Sequence, residues 1–146
     1  MSHLIKISEA ASMALHAMVL MAARGGRPAS TRDLASVMGG SEAHLSKVLQ
    51  RLAKAGLVVS GRGPRGGFCL ARDPGQITLR EVYESMEGPL EEARCLLEKP
   101  ICGGNCILGG LLSEVDRKAG EYMSQKTLAD FVAAFEGGKN GPAQDR

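Results

Sequence analysis

The sequence holds no tryptophan and only five aromatic residues among 146. Proteins that grip single-stranded nucleic acid by stacking bases on aromatic side chains need more, so that mode is excluded as the main one. No apolar run approaches the about 20 residues of a membrane span. The N-terminal stretch MSHLIKISEAAS lacks the basic-then-apolar order of a secretory signal. The chain is therefore read as a cytoplasmic protein that does not enter a membrane. No glycine-rich loop ends in Gly-Lys-Ser/Thr, and no serine, histidine and acid stand together in a supporting context. An enzyme is not expected. Cysteine is scarce as well, at four residues. Three of the four, Cys95, Cys102 and Cys106, nevertheless fall within the twelve residues CLLEKPICGGNC.

What is present is unevenly placed. The formal net charge is only +2, but residues 1–80 hold 11 Lys/Arg against 4 Asp/Glu, and residues 81–146 hold 7 against 12. A basic front half suits a polyanion, while the acidic back half serves another purpose.

The front half reads as helices with a hairpin. Ala11, Ala14, Leu15, Met18, Val19 and Ala22 recur at helical spacing and predict a buried first helix over 8–24, ended by Gly25, Gly26 and Pro28. Ser30 to Asp33 matches a capping box that opens a short helix to Met38, Gly39-Gly40 is a turn, and Ser41 caps a third helix to Ala55. Leu45, Val48, Leu49 and Leu52 of that helix face inward. A short helix, a glycine turn and a second helix with a polar outer face form a helix-turn-helix, whose second helix enters the major groove. Its outward residues Glu42, Ala43, His44, Ser46, Lys47, Gln50 and Arg51, with Ser41 and Thr31 at the helix starts, supply charge for phosphates and hydrogen-bonding groups for base edges. An ordinary solvated helix face would look similar. The segment after Gly56 distinguishes the two: LVVS (57–60) and FCLA (68–71) are β-prone, and the glycine-rich turn between them carries Arg62 and Arg65. That is a wing, suited to phosphates or a minor groove. Cys69, inside its second strand, reads as a packing thiol.

Thr78 caps a helix from Leu79 to Glu87, and the cysteine loop comes next. Six residues separate Cys95 from Cys102 and three separate Cys102 from Cys106, with Pro100, Gly103 and Gly104 forcing turns. Three soft ligands at one locus suit zinc or iron-sulfur chemistry; the plain alternative is unpaired thiols in a helix connection. A thiol-disulfide switch without metal is a further option. From Ile107 to Gln125, Leu108, Leu111, Leu112, Val115, Ala119, Tyr122 and Met123 form one stripe. With a winged helix already complete before it, that stripe is expected to pair with its own copy across a twofold axis, giving two recognition helices for the half-sites of a pseudo-palindromic double-stranded DNA operator. Thr127 caps a last short helix. The expected organisation is a DNA-binding region over 1–75, a cysteine loop with dimerisation helices over 76–136, and a disordered tail over 137–146. The fold class is mainly α, a winged helix-turn-helix with a two-stranded β wing and a long C-terminal dimerisation helix.

Over about residues 4–136 the chain resembles the winged-helix iron-sulfur transcription regulators of the IscR and NsrR type. The likeness rests on ALHAM (14–18), RLAKAGLV (51–58), RGPRGGFCLARDP (62–74), ITLREV (77–82), the three-cysteine loop, and TLADFV (127–132) after a long helix. The resemblance implies that Cys95, Cys102 and Cys106 hold a 2Fe-2S or 4Fe-4S iron-sulfur cluster, that the long helix makes the homodimer, and that the cluster's state sets the affinity for DNA, with repression the expected outcome. The spacing of six then three departs from the family's five and five, and Gly109 stands where IscR-like members carry a histidine. The acidic ligand that NsrR-like members take from the opposite subunit's first helix falls at Ser12 here. His16 matches the histidine that other relatives use one turn further on, and Glu9 is the reserve fourth ligand. Read from the residues alone, His16 fits equally a half-buried polar residue on an interface helix.

Overall fold

The structure is a computed structural model that describes residues 5–61, 66–92 and 95–136. Its centre is α1 (Glu9–Ala23), started by Ser8, whose hydroxyl accepts the Ala11 amide at 3.1 Å. Ala11, Ala14, Ala17 and Met18 of α1 are fully buried. Small side chains there let neighbouring helices approach closely. α2 (Thr31–Met38) and α3 (Glu42–Lys54) pack on this core, as do α4 (Leu79–Glu87) and the C-terminal α6 (Val132–Glu136).

Local chemistry sets each boundary. Ser30 caps α2 by accepting the Asp33 amide, and Gly39, in the left-handed region at φ 65°, closes it. Ser41 caps α3 by accepting the His44 amide. Leu45, Val48, Leu49 and Leu52 point into the core, so α3 is held along one side with its opposite side free. The wing is an antiparallel pair, β1 (Val58–Ser60) and β2 (Phe68–Leu70), in the register Val58 to Leu70 and Ser60 to Phe68. A further contact goes beyond the sequence expectation: Ala29 exchanges both backbone hydrogen bonds with Phe68, at 2.9 and 2.8 Å, so the segment before α2 lies along the wing. The wing tip, with Arg62 and Arg65, lies outside the described residues.

Thr78 and Glu81 form a reciprocal cap on α4. Partial burial pushes the Glu81 carboxyl up, but hydrogen bonds from Arg72 and Thr78 and the Arg72 charge outweigh it and hold the group below its ordinary value. This cap therefore contributes above the ordinary carboxylate range, and its contribution is lost as pH falls through the lowered value. α5 (Leu111–Gln125) starts four residues later than the expected Ile107. Gly109, at φ 56°, donates to the Cys106 carbonyl and Leu111 to Leu108, so residues 106–111 turn before the helix begins. The chain then returns to α4: Leu79 donates to the Lys126 carbonyl and Leu128 to Ile77, each at 3.0 Å. A 3-10 turn (Leu128–Phe131) leads into α6. Ile77, Val82, Met86, Met123 and Leu128 belong to the same core as α1, so the core continues across the expected boundary at residue 75. The expected tail, 137–146, lies outside the described residues. No helix among the described residues is long and apolar enough to cross a membrane.

Gly67 tests the wing's anchorage. A Cβ there would sit 2.8 Å from the Ala29 carbonyl oxygen, a backbone atom that cannot step aside cheaply. Gly67→Ala should lower stability by about 1–3 kcal/mol, the range for overpacking, seen as a lower urea midpoint at unchanged slope. An unchanged midpoint would show that the Ala29–Phe68 bridge yields.

Candidate nucleic-acid interface and cysteine loop

The free side of α3 carries Glu42, Ala43, Lys47 and Gln50 in the open, with His44 and Ser46 half-buried. Four buried aliphatics on the opposite side fix the rotation of the helix, so these side chains are presented by a rigid element. α2 and α3 begin beside the root of the wing, and a cleft of about 340 Å³ between them is lined by Thr31, Arg32, Glu42, Ser60 and Gly61. Arg32 is a member of this cleft that the helix-turn-helix pattern did not single out. Its signal lies in the sequence: an arginine in the first turn of the first helix of the motif, next to the wing root.

Arg51 has a structural role beside the expected one. Its guanidinium donates to the Met86 carbonyl at 2.7 Å at the C-terminal end of α4, so it ties α3 to α4. Glu9, the expected reserve ligand, lies with its carboxylate 3.6 Å from His44 Nδ1 on α3, beside the recognition helix. Being mostly exposed, that pair contributes little by itself.

His16 is exposed on α1, and its Nδ1 lies 2.7 Å from the Ser12 carbonyl oxygen. A carbonyl only accepts, so this geometry assigns the proton to Nδ1 and leaves the Nε2 lone pair of the neutral ring unused. Imidazoles that bind metal are commonly oriented in this way.

The four cysteines are free thiols, all half-buried. Cys95 Sγ accepts the Leu97 amide at 3.4 Å, and Cys102 and Cys106 each close a turn through their carbonyls. Within the described residues of one protomer no three Cys, His, Asp or Glu side chains gather closely enough to hold a metal ion. The donor set suits an iron-sulfur cluster in kind, three thiolates on one short loop, but a single protomer does not bring it together. Cys69 lies on β2, its Sγ 3.6 Å from the Gly26 carbonyl, apart from the loop.

The expected stripe on α5 divides. Leu112 is 2% exposed and Met123 is buried, so both are used within the protomer and Leu112 is withdrawn from the dimer seam. Leu108 sits half-buried in the turn before the helix. Leu111 and Tyr122 are 51% and 52% exposed, and with half-buried Val115 and Ala119 they form a continuous outward line at helical spacing. Intrahelical pairs Arg117–Glu121 and Lys118–Glu114 accompany it.

Comparison with known proteins bears on the family and the fold. The family profile described as Rrf2, iron-dependent transcriptional regulator, matches residues 7–134. The chain is 31% identical over 106 residues to the HTH-type transcriptional regulator IscR of Cronobacter sakazakii, covering 72% of this chain and 65% of that protein. It is 30% identical over the same shares to IscR of Yersinia pestis. It thus spans just under two thirds of the length of these curated relatives. Among solved structures, CymR, described as the global cysteine regulator of B. subtilis, superposes with a TM-score of 0.76 at 27% identity, covering 89% of this chain and 98% of that one. T. potens IscR superposes at 0.70 and 26%, covering 95% and 94%.

The two kinds of α3 side chain separate experimentally. Arg51→Ala should lower thermal stability by removing a charged hydrogen bond to a helix end, worth about 1.5–3 kcal/mol. Lys47→Ala and Gln50→Ala should leave stability within about 0.5 kcal/mol while shifting sequence preference in DNA selections by about 1–3 kcal/mol at single base pairs. A uniform loss of affinity across sequences would reduce Lys47 and Gln50 to backbone contacts.

Proposed function

The chain belongs to the Rrf2 family of transcriptional regulators, and from that premise we propose a homodimeric, DNA-binding regulator, acting as a repressor in the cytoplasm, whose cysteine loop is the sensor. One observation carries the reading: the turn after the three free cysteines runs straight into α5, whose outward line of Leu111, Val115, Ala119 and Tyr122 leaves Leu111 and Tyr122 about half exposed. A change at the loop therefore bears directly on the seam that sets the spacing of two recognition helices. Operators for such a dimer are pseudo-palindromic, with half-sites one helical turn apart or a multiple of it. Arg62 and Arg65 of the wing would add phosphate or minor-groove contacts.

Cys95, Cys102 and Cys106 would hold an iron-sulfur cluster, 2Fe-2S or 4Fe-4S, with His16 of the opposite subunit as fourth ligand and Glu9 in reserve. The iron-dependent character of the family and the IscR relatives support this effector. Such a cluster supplies a site whose oxidation or loss changes the charge and tethering of the loop. What the chain itself contributes is the oriented His16 ring and three thiols on one loop.

A second reading has an observation of its own. The thiols are free, half-exposed and not gathered, and a 27% identical neighbour is described as a cysteine regulator. On that reading the loop is a thiol-disulfide switch, and a zinc-closed loop is the remaining variant.

Anaerobic purification with iron, sulfide and zinc analysis decides among them. The cluster reading expects a brown protein with iron and sulfide in comparable amounts, colourless once Cys102→Ala is introduced. His16→Ala should stay coloured, with a changed visible spectrum and a shorter cluster lifetime. A colourless protein holding zinc, or a metal-free one whose DNA affinity responds to oxidant, would replace the cluster by one of the alternatives. The seam is tested separately: Val115→Asp places a charge in a helix pair without a partner. It should give monomers by light scattering and lose operator binding; a mutant that stays dimeric would remove α5 from the interface.

A further inference from the structure

We infer that the cleft between α4 and α5 binds a free amino acid, its carboxylate held by Arg80 and Arg117 and its ammonium group by Asp116 and Glu121. The site uses no cysteine and no residue of the recognition helix.

The cleft encloses about 330 Å³ and is built from α4, α5 and the segment that follows α4. Asp116, Gly120 and Ser124 line it from α5 at four-residue spacing, so they share one side of the helix. Asp116 is only 2% exposed although it is a carboxylate. Arg80 faces them from α4. Its Nε donates to Glu84 at 2.9 Å, Nη1 to Ser124 Oγ at 3.4 Å and Nη2 to the Leu90 carbonyl at 3.4 Å, so the guanidinium is fixed between the two helices. Those bonds leave part of its five-donor fork for a ligand. Arg117 and Glu121 stand beside it, joined at 2.7 Å but about half exposed, so their pair is worth little and reorganises readily around a guest. Gly120 is buried in the interior of α5, where glycine costs helix stability relative to alanine. A Cβ there would lie 3.4 Å from Leu90 Cδ2 and 3.9 Å from Arg80 Nη1, ordinary contact distances, so packing does not exclude alanine. The absent side chain leaves the floor of the cleft open.

Charge and size select the ligand. The two arginines share the cleft with three carboxylates, Asp116, Glu121 and Glu92. A phosphate or dicarboxylate is repelled by the carboxylates and a diamine by the arginines, whereas a zwitterion finds a partner for each end. Among the described residues the carboxylates do not gather closely enough to hold a metal ion. No aromatic side chain is among the lining residues described, so a nucleobase has nothing to stack on. The volume lies at the small end of the about 300–1,000 Å³ of ligand sites. Leu90 supplies the aliphatic contact, so the amino acid's own side chain is short or polar. Position gives the binding a consequence. α4 is tied to the recognition helix by the bond from Arg51 to Met86, and α5 carries the outward line that exposes Leu111 and Tyr122. A ligand bridging Arg80 to α5 fixes the two helices against each other, and it thereby acts on DNA affinity if α5 makes the dimer, as proposed above.

Thermal unfolding and calorimetric titration of the full chain under reducing conditions provide the test, with each proteinogenic amino acid in turn and with putrescine and succinate as single-sign controls. At least one amino acid with a short or polar side chain should raise the melting temperature saturably, and neither control should. Arg117→Gln and Gly120→Met should each raise its dissociation constant at least tenfold with an unchanged far-ultraviolet spectrum, the first by removing a charged donor and the second by filling the floor. No shift with any amino acid overturns the site. So does a shift that both variants leave intact, because the ligand then sits elsewhere. A response to putrescine or succinate instead overturns the ligand class. Neither readout involves the cysteine loop or DNA, so the outcome stands whether or not the loop holds a cluster. Coupling is read last: the bound amino acid should change the affinity for a palindromic DNA by about fivefold or more. An unchanged affinity at saturating ligand overturns the regulatory role.

Discussion

Close approach of helices around α1 is the constraint on which the other features depend. Ala11, Ala14 and Ala17 present almost no side chain, so α3 and α4 pack closely on α1, and Leu45, Val48, Leu49 and Val82 share one buried core with Met18. Interiors of this density respond to a change of a single methylene. The recognition helix is therefore not hung on a flexible arm. Its inner residues are locked against a helix whose outer side carries His16 and one wall of an open groove. Any effector that acts on that outer side has a short, stiff path to the DNA-reading face, because both faces belong to the same two packed helices.

Much of this was legible in the sequence, for identifiable reasons. Helix starts were readable because Ser30, Ser41, Thr78 and Thr127 are capping residues placed just before apolar periodicity, and all four stand at helix starts in the fold. The hairpin was readable because β-prone runs flank a turn of glycines. Periodicity was less informative about which side of an apolar helix is used by whom. Leu111 and Leu112 are adjacent and chemically alike, yet one faces outward and the other is buried, a distinction set by the rotation of α5 against α4. Arg51 illustrates the same limit. A basic residue near the end of a recognition helix reads as a phosphate contact, and only the position of Met86, far along the chain, makes it a helix tie. The Ala29–Phe68 bridge was likewise beyond local reasoning, since a single alanine carries no strand signal.

The cysteine loop stands apart from that stiff core. Its thiols are held by turns rather than by packing, and its largest aliphatics face solvent. A segment of this kind gains most from an added ligand or a partner surface, because little of its ordering has been achieved within the protomer. The chain thus joins a rigid reader to a loosely packed cysteine loop, and on the proposed reading a signal at that loop would pass through α5 and α1. Rigidity is needed where base edges are read, and adaptability where a chemical signal must change the structure.

The central claim is that the state of the cysteine loop sets DNA affinity. Its most direct measurement is the binding of one selected palindromic DNA, at fixed salt and under anaerobic conditions, by the protein as purified and after removal of iron with a chelator. The account expects at least a tenfold difference between the two forms, abolished when Cys95, Cys102 and Cys106 are all replaced by serine. Equal affinity of both forms, with the serine variant indistinguishable from either, would contradict it.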